Sequence, residues 1–169
     1  MKEQSIKAVA VSDTHGNNAS LGKIALAYKQ ADYLFHLGDN VRDALWLERE
    51  MPDTKVLFAR GNCDPGSGAQ DFEEVTIKNH KIILTHGHLL KAKFSYDRLL
   101  YYAQEHEAAA MLFGHTHVAY MENIGGIWLI NPGAAGERSR GDMTVCAMMI
   151  GAYGIVPKIV DIDTPAPFG

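Results

Sequence analysis

Gly114-His115-Thr116-His117 places two imidazoles at i and i+2, directly after the apolar run Ala110-Met111-Leu112-Phe113. In extended chain such residues point to the same side, and neutral imidazole is the commonest metal-binding side chain. The glycine before them lets the backbone turn sharply or approach another group closely. An apolar run breaking into a short polar, glycine-containing turn occurs four more times: Asp13-Thr14-His15-Gly16, Gly38-Asp39-Asn40, Gly61-Asn62-Cys63-Asp64 and His86-Gly87-His88. Singly, each has an ordinary explanation. Asp13 or Asp39 can cap a following helix, Asn62 can be a turn residue, and His86 a core or surface histidine. Together they offer carboxylate, imidazole and carboxamide donors, the inventory of a divalent-metal site.

Seven donors (Asp13, His15, Asp39, Asn62, His86, His115 and His117) are too many for one ion and suit two ions sharing a bridge. Asp39 is the natural bridge, because a carboxylate has two oxygens where an imidazole serves one ion. Two such ions sit ~3.5–4 Å apart and polarise the attacking and leaving oxygens of an in-line displacement at phosphorus. Histidines two apart on a strand are separated by roughly 6.5–7 Å at Cα, enough to straddle an ion pair with one imidazole to each.

For the five turns to meet, the chain must bring five strand ends together. Ile6–Ser12, Asp32–Leu37 and Lys55–Arg60 read as strands. Between them lie two helical patterns. The first is capped by Asn17, Asn18 or Ser20 and spaced by Leu21, Ile24, Ala25 and Tyr28; the second runs from Arg42 to Met51 and is closed by Pro52. This β-α-β-α-β order argues for parallel strands crossed by helices. Strands Glu73–Ile77 and His80–Thr85 flank the turn Lys78-Asn79, and a helix over Ser95–Glu107, with Ser95 as cap, buries Leu99, Leu100, Tyr102 and Ala103. Four more strand candidates follow, Val118–Glu122, Ile127–Ile130, Met143–Ile150 and Ile155–Ile162, with antiparallel pairing expected. The class is α/β, in which ligands bind outside the carboxyl ends of the strands. We expect a single domain over 1–163 and a frayed tail over 164–169.

The totals exclude several functions. A length of 169 residues suits one core, and 47% hydrophobic with 21% charged residues is ordinary for a soluble globular chain. A net charge of −4 with no Lys/Arg run leaves no electrostatic footprint for nucleic acid. No apolar run is long enough for a signal peptide or a membrane span. Two cysteines, Cys63 and Cys146, make no disulfide framework, which favours a cytoplasmic location.

The ordered series D-x-H (Asp13, His15), G-D (Gly38, Asp39), G-N (Gly61, Asn62), His86 and G-H-x-H (Gly114 to His117) resembles the calcineurin-like metallophosphoesterases. The short chain, the Gly61-Asn62-Cys63-Asp64 form and the Asn131-Pro132-Gly133 turn resemble their small prokaryotic phosphodiesterase branch. The resemblance covers roughly Ile6 to Ile162 and implies a four-layer αββα sandwich of mixed parallel and antiparallel sheets, with a dinuclear site at the strand ends. It implies one ion held by Asp13, His15, Asp39 and His117, and another by Asp39, Asn62, His86 and His115. Mn²⁺ is the metal implied, with Fe, Ni or Zn as substitutes, and family members often pair as homodimers.

One departure matters. Many relatives carry, where Cys63 stands, a histidine thought to protonate the leaving group. A thiol is a weak donor with a reference pKa of ~8.5. Acid assistance is worth ~10²–10⁴-fold, so its loss favours good leaving groups. Cys63 reads either as a small packing residue or as that weak donor. His88 reads either as a substitute donor or as an outer, solvent-facing residue, and Asp64 as an orienting group for a ligand or the loop.

The expected reaction is hydrolysis of a small phosphodiester by metal-bound hydroxide, whose parent water falls towards a pKa of ~7. The seven donors comprise two carboxylates and five neutral groups, so two divalent ions leave a formal excess of two positive charges. Hydroxide and a diester monoanion cancel that excess, whereas a monoester dianion overshoots it; phosphomonoesterase activity is the alternative. Arg138 and Arg140 either reach a substrate phosphate or are solvated. A rival reading is a non-catalytic scaffold, as in the retromer vacuolar-sorting subunit of the same fold. It predicts lost ligands, but every matching position carries a ligand type. Neither Leu89–Glu107 nor Gly133–Gly141 contains a base- or sugar-reading motif.

Overall fold

A computed structural model describes residues 4–138 and 141–168. Its elements in chain order are β1 (Ile6–Val11), α1 (Asn18–Ala27), β2 (Tyr33–His36), α2 (Val41–Glu50), β3 (Lys55–Phe58), β4 (Phe72–Ile77), β5 (His80–Thr85), α3 (Asp97–Glu105), β6 (Ala110–Leu112), β7 (Tyr120–Ile124), β8 (Ile127–Asn131), β9 (Thr144–Gly151) and β10 (Gly154–Asp161). Two five-stranded sheets result, ordered β10-β9-β1-β2-β3 and β4-β5-β6-β8-β7. In the first, β1, β2 and β3 run parallel and β9 and β10 antiparallel; in the second, β5, β6 and β8 run parallel, flanked by antiparallel β4 and β7.

Strand periodicity explains the layering. Along β1, Val9 and Val11 face one way, onto Leu21, Ile24 and Tyr28 of the α1 region and Leu47 of α2. Ala8 and Ala10 face the other way, onto Ile82, Leu84, Ala110 and Leu112 of the second sheet. Small alanines on both inner faces let the sheets approach, and Phe35, Leu37, Ile130 and Met148 fill the space between them. On the outer face of the second sheet, α3 seats Leu99 and Ala103 against Ile83, Met111, Phe113 and Leu129. The order is helix, sheet, sheet, helix. This is the αββα sandwich with mixed sheets.

Local chemistry accounts for the element ends. Asn17 caps α1, its Oδ1 accepting from the Ser20 N–H at 3.1 Å. Lys78 and Asn79 both adopt positive φ (49° and 67°), the conformation a two-residue hairpin needs between Ile77 and His80. Two expectations are corrected here. Ser95 does not cap α3: its Oγ accepts from the Asp97 N–H, but the cap position is Tyr96, without a side-chain bond, and the helix is two residues shorter at each end than expected. The tail is not frayed as far as residue 168, because Phe168 is buried edge-on against Tyr28 at 5.6 Å and its carbonyl accepts from Lys7 Nζ. Among the described residues no helix is long and apolar enough to cross a membrane.

Candidate metal centre

The loops after β1, β2, β3, β5 and β6 meet at one end of the sandwich, where the sheets' parallel strands finish. Asp13 and Asp39 lie at the centre, both buried. Ser12 Oγ–H (2.7 Å) and the His115 N–H (3.1 Å) donate to Asp13 Oδ2. Its Oδ1 has no hydrogen-bond partner. Three imidazole Nε2 atoms surround that oxygen, from His117 at 3.1 Å, His15 at 3.8 Å and His86 at 3.9 Å. The Cys63 N–H donates to Asp39 Oδ1 at 3.0 Å. His86 Nε2 is 3.3 Å from the same oxygen, while Asp39 Oδ2 faces His15 Nε2 at 4.0 Å.

These positions are fixed from behind. The His86 Nδ1–H donates to the Leu37 carbonyl at 2.7 Å, which leaves Nε2 facing inward, 3.1 Å from Asn62 Oδ1. The His117 Nδ1–H donates to Glu137 Oε1 at 2.7 Å, which likewise turns Nε2 toward Asp13. Asp64, read from the sequence as an orienting group, accepts from the N–H groups of Asp39 (3.0 Å), Val41 (2.8 Å) and Gly61 (2.8 Å), tying the loops after β2 and β3 together. Asp43 accepts from the Gly16 N–H at 2.8 Å. Fully buried His36 accepts from the Gly38 N–H at Nδ1 (3.3 Å), so its Nε2–H donates to Thr14 Oγ1 (2.9 Å). Neither Glu137 nor His36 was found by reading the sequence. Glu137 sits in a loop with no pattern, and the only signal for His36 was a histidine ending an otherwise apolar strand just before Gly38-Asp39.

Backbone conformation is unusual here. Asp13, His15, Asp39, His115 and His117 all have positive φ, between 46° and 69°. Such residues are uncommon outside glycine and concentrate at functional sites. The finding corrects the extended-chain account of the histidine pair. His115 and His117 are not on a strand, since β6 ends at Leu112, and their divergence comes from two left-handed kinks rather than from a pleat. Their surroundings differ accordingly. The His117 ring lies 5.4 Å from that of His15, whereas the His115 ring lies 5.0 Å from that of His86 and 6.1 Å from that of His88. Gly114 is required by proximity: a Cβ there would fall 2.0 Å from Ser12 Oγ and 2.8 Å from Asp13 Oδ2.

The electrostatics follow from burial and charge. Burial raises the Asp13 carboxyl, but His117, His86 and Ser12 outweigh it and hold the group below the usual carboxylate value. Burial likewise opposes ionisation of Asp39, yet His86 and the Cys63 N–H pull it well down. His86 loses affinity for a proton through burial and regains more from Asp39 and Asp13, so it ends raised. His117 is raised chiefly by Asp13, against a smaller opposing effect of burial. His115 is pushed down to about 4 by burial, His86 and Lys93, and is a neutral donor at pH 7. Burial also takes His36 to about 4.

Asp13, His15, Asp39 and His117 each offer an atom within 4.8 Å of all the others, a group that fits a divalent cation. An orphaned buried carboxylate oxygen facing imidazole nitrogens is the donor arrangement such an ion needs. No lysine or arginine pairs with either carboxylate among the described residues. The second predicted set is looser. Asp39, His86 and Asn62 are in contact, but His115 joins them only through its ring packing on His86. His88 stands beside this set, 5.5 Å from the His86 ring, with Nδ1 buried and unpartnered; burial and His86 keep it below the ordinary histidine value.

Cys63 is exposed, which corrects its reading as a packing residue. Burial and the neighbouring Asp39 raise its thiol, which stays protonated. Arg138 is committed to Asp142 (3.1 Å) and Asp163 (3.3 Å) rather than to the site, and Arg140 lies outside the described residues.

Residues 6–152 match the calcineurin-like phosphoesterase superfamily domain. The chain is 33% identical over 131 residues to the probable metallophosphoesterase YsnB of Bacillus subtilis, covering 76% of this chain and 75% of that protein. To the phosphodiesterase YfcE of Escherichia coli K12 it is 27% identical over 152 residues, covering 76% and 79%. Its fold superposes on the crystal structure of a predicted phosphoesterase from Streptococcus pneumoniae with a TM-score of 0.82 at 27% identity, covering 99% of this chain and 95% of that one.

Proposed function

The chain belongs to the calcineurin-like phosphoesterase superfamily, and from that premise we propose that it is a phosphodiesterase working with two divalent ions, Mn²⁺ foremost. The observation that carries this reading is the double engagement of Asp39, one oxygen toward His86 and the other toward His15. We assign Asp13, His15, Asp39 and His117 to one ion, and Asp39, Asn62, His86 and His115 to the other. When bound, the ions supply the Lewis acidity that makes a nucleophile from water near neutral pH and polarises the phosphoryl oxygens.

The chain's own residues set the geometry. Leu37 and Glu137 engage Nδ1 of His86 and His117, so each points Nε2 into the centre, where it can serve an ion once its proton is displaced. Asp64 holds the loops of Asp39 and Asn62 in register. His88 is neutral and beside His115, and we assign it a hydrogen bond to the substrate's phosphoryl oxygen. Cys63, with a protonated thiol at the rim, is a weak donor to a departing oxygen, and we expect a preference for good leaving groups. The relative named as a phosphodiesterase, YfcE, supports the diester reading, as does the charge balance of two carboxylates against two dications. The rival, a scaffold without catalysis, predicts lost ligands, whereas all seven assigned positions here carry a ligand type and five of them are left-handed.

The test is metal analysis of the Mn²⁺-reconstituted protein together with hydrolysis of bis-p-nitrophenyl phosphate and p-nitrophenyl phosphate. We expect two ions per chain and faster diester turnover. Less than one ion, or full activity in Asn62→Ala and His86→Ala, overturns the dinuclear enzyme; faster monoester turnover overturns only the diester preference.

A further inference from the structure

A cleft of about 680 Å³ opens from His15 and Asp39 and runs along the start of α2, walled by Arg42, Leu45, Cys63 and Pro65 among others. A phosphoryl group alone does not need that volume, which lies within the ~300–1,000 Å³ of small-molecule sites. Among the described residues, Arg42 is the one lysine or arginine on its wall. Its side chain is exposed and makes no hydrogen bond or ion pair among the described residues. It also sits in the first turn of α2, the positive end of the helix dipole, where a cation is unfavourable by ~0.3–1 kcal/mol. Helix stability therefore gives no reason for a cation there. The acidic wall residues Asp39 and Asp64 form no ion pair with Arg42 among the described residues, and the Asp64 carboxylate accepts instead from three backbone N–H groups. Leu45, 41% exposed, adds an apolar surface to the same wall.

We propose that this cleft seats one of the two alcohol groups of the phosphodiester, and that the Arg42 guanidinium binds a second phosphate carried on that alcohol. Guanidinium meets phosphate with two parallel N–H···O bonds, a geometry suited to selection rather than to general attraction. The substrate class becomes phosphodiesters bearing a further phosphate on one of their alcohols, a refinement that rests on the phosphodiesterase reading above.

Two p-nitrophenyl esters of thymidine 5′-phosphate, one with and one without a 3′-phosphate, test it on the Mn²⁺-loaded protein. We expect kcat/KM to favour the 3′-phosphorylated ester by ~10-fold, and Arg42→Gln to bring the ratio near one. An equal ratio in both proteins, or none in the unmodified protein, overturns the proposal. A second measurement does not need turnover. Cys63 is exposed on the same wall and Cys146 is buried, so iodoacetamide alkylation reports on the cleft. Thymidine 3′,5′-bisphosphate should slow alkylation of Cys63 several-fold more than thymidine 5′-monophosphate does, and Arg42→Gln should abolish the difference. Equal effects of the two nucleotides in the unmodified protein overturn the subsite. Protection of this kind in a protein that hydrolyses neither ester supports the subsite and refutes the phosphodiesterase reading.

Discussion

Asp39 turns its two carboxylate oxygens toward different histidines: Oδ1 lies 3.3 Å from His86 Nε2, and Oδ2 lies 4.0 Å from His15 Nε2. Each histidine heads a separate group, His15 with His117 and His86 with His115. A single carboxylate thus stands between two histidine pairs.

Asp39→Asn keeps the shape of that side chain but replaces one oxygen with an NH₂ group, which cannot bind a cation. We expect the variant to hold no more than one Mn²⁺ per chain and to lose at least ~10²-fold in diester hydrolysis. His15→Ala should lose one ion and retain the other. Elemental analysis after gel filtration reads both, and two ions in Asp39→Asn would remove the bridge.

Glu137 reaches the centre through His117, whose Nδ1 it holds at 2.7 Å. Removing the charge in Glu137→Gln should weaken metal affinity by ~10–100-fold, the usual effect of losing a partner behind a ligand. The thermal midpoint of the metal-free protein should move little, because the Glu137 side chain is 42% exposed. Calorimetric titration with Mn²⁺ checks the first expectation and a thermal scan the second. Unchanged affinity would show that His117 does not need the carboxylate.

His86 and His117 bind protons more tightly in the metal-free fold than free histidine does. The stability they lend that fold is therefore complete below a pH of ~6.5 and is lost as pH rises through their raised values. An incoming ion must displace the same protons, so metal binding tightens over the same interval. His36 and His115, near 4, are neutral throughout it. The gap in Tm between Mn²⁺-loaded and metal-free protein should widen from about pH 6 to about pH 8.5, with proton release on binding falling as pH rises. A gap that narrows with pH would contradict the assignment of these two imidazoles.

Gly114→Ala adds one methyl group where Ser12 Oγ would be 2.0 Å away and Asp13 Oδ2 2.8 Å away. Ser12 and Asp13 must move, at a cost of ~1–3 kcal/mol in stability. We expect a lower midpoint in urea and the loss of at least one bound ion. Full metal content in this variant would mean that Asp13 need not stay where the structure puts it.

Much of this centre was legible from the chain alone. Apolar runs of strand length ending in Asp13, Asp39, Asn62, His86 and Gly114 marked five strand ends, because burying an apolar strand and then breaking it with glycine is a local property. The same runs gave the α/β class, and the order of donors pointed to the family. What no local pattern contained was the support behind the donors. The Leu37 carbonyl reaches His86 across 49 residues, and Glu137 and His117 belong to different loops. Such contacts depend on which loops the two sheets bring side by side. The i, i+2 spacing of His115 and His117 was read on an extended chain, whereas both residues are left-handed. Residue types and their order are written along the chain. The direction in which each imidazole presents its free nitrogen is decided by partners dozens of residues away, and only the packed sandwich supplies them.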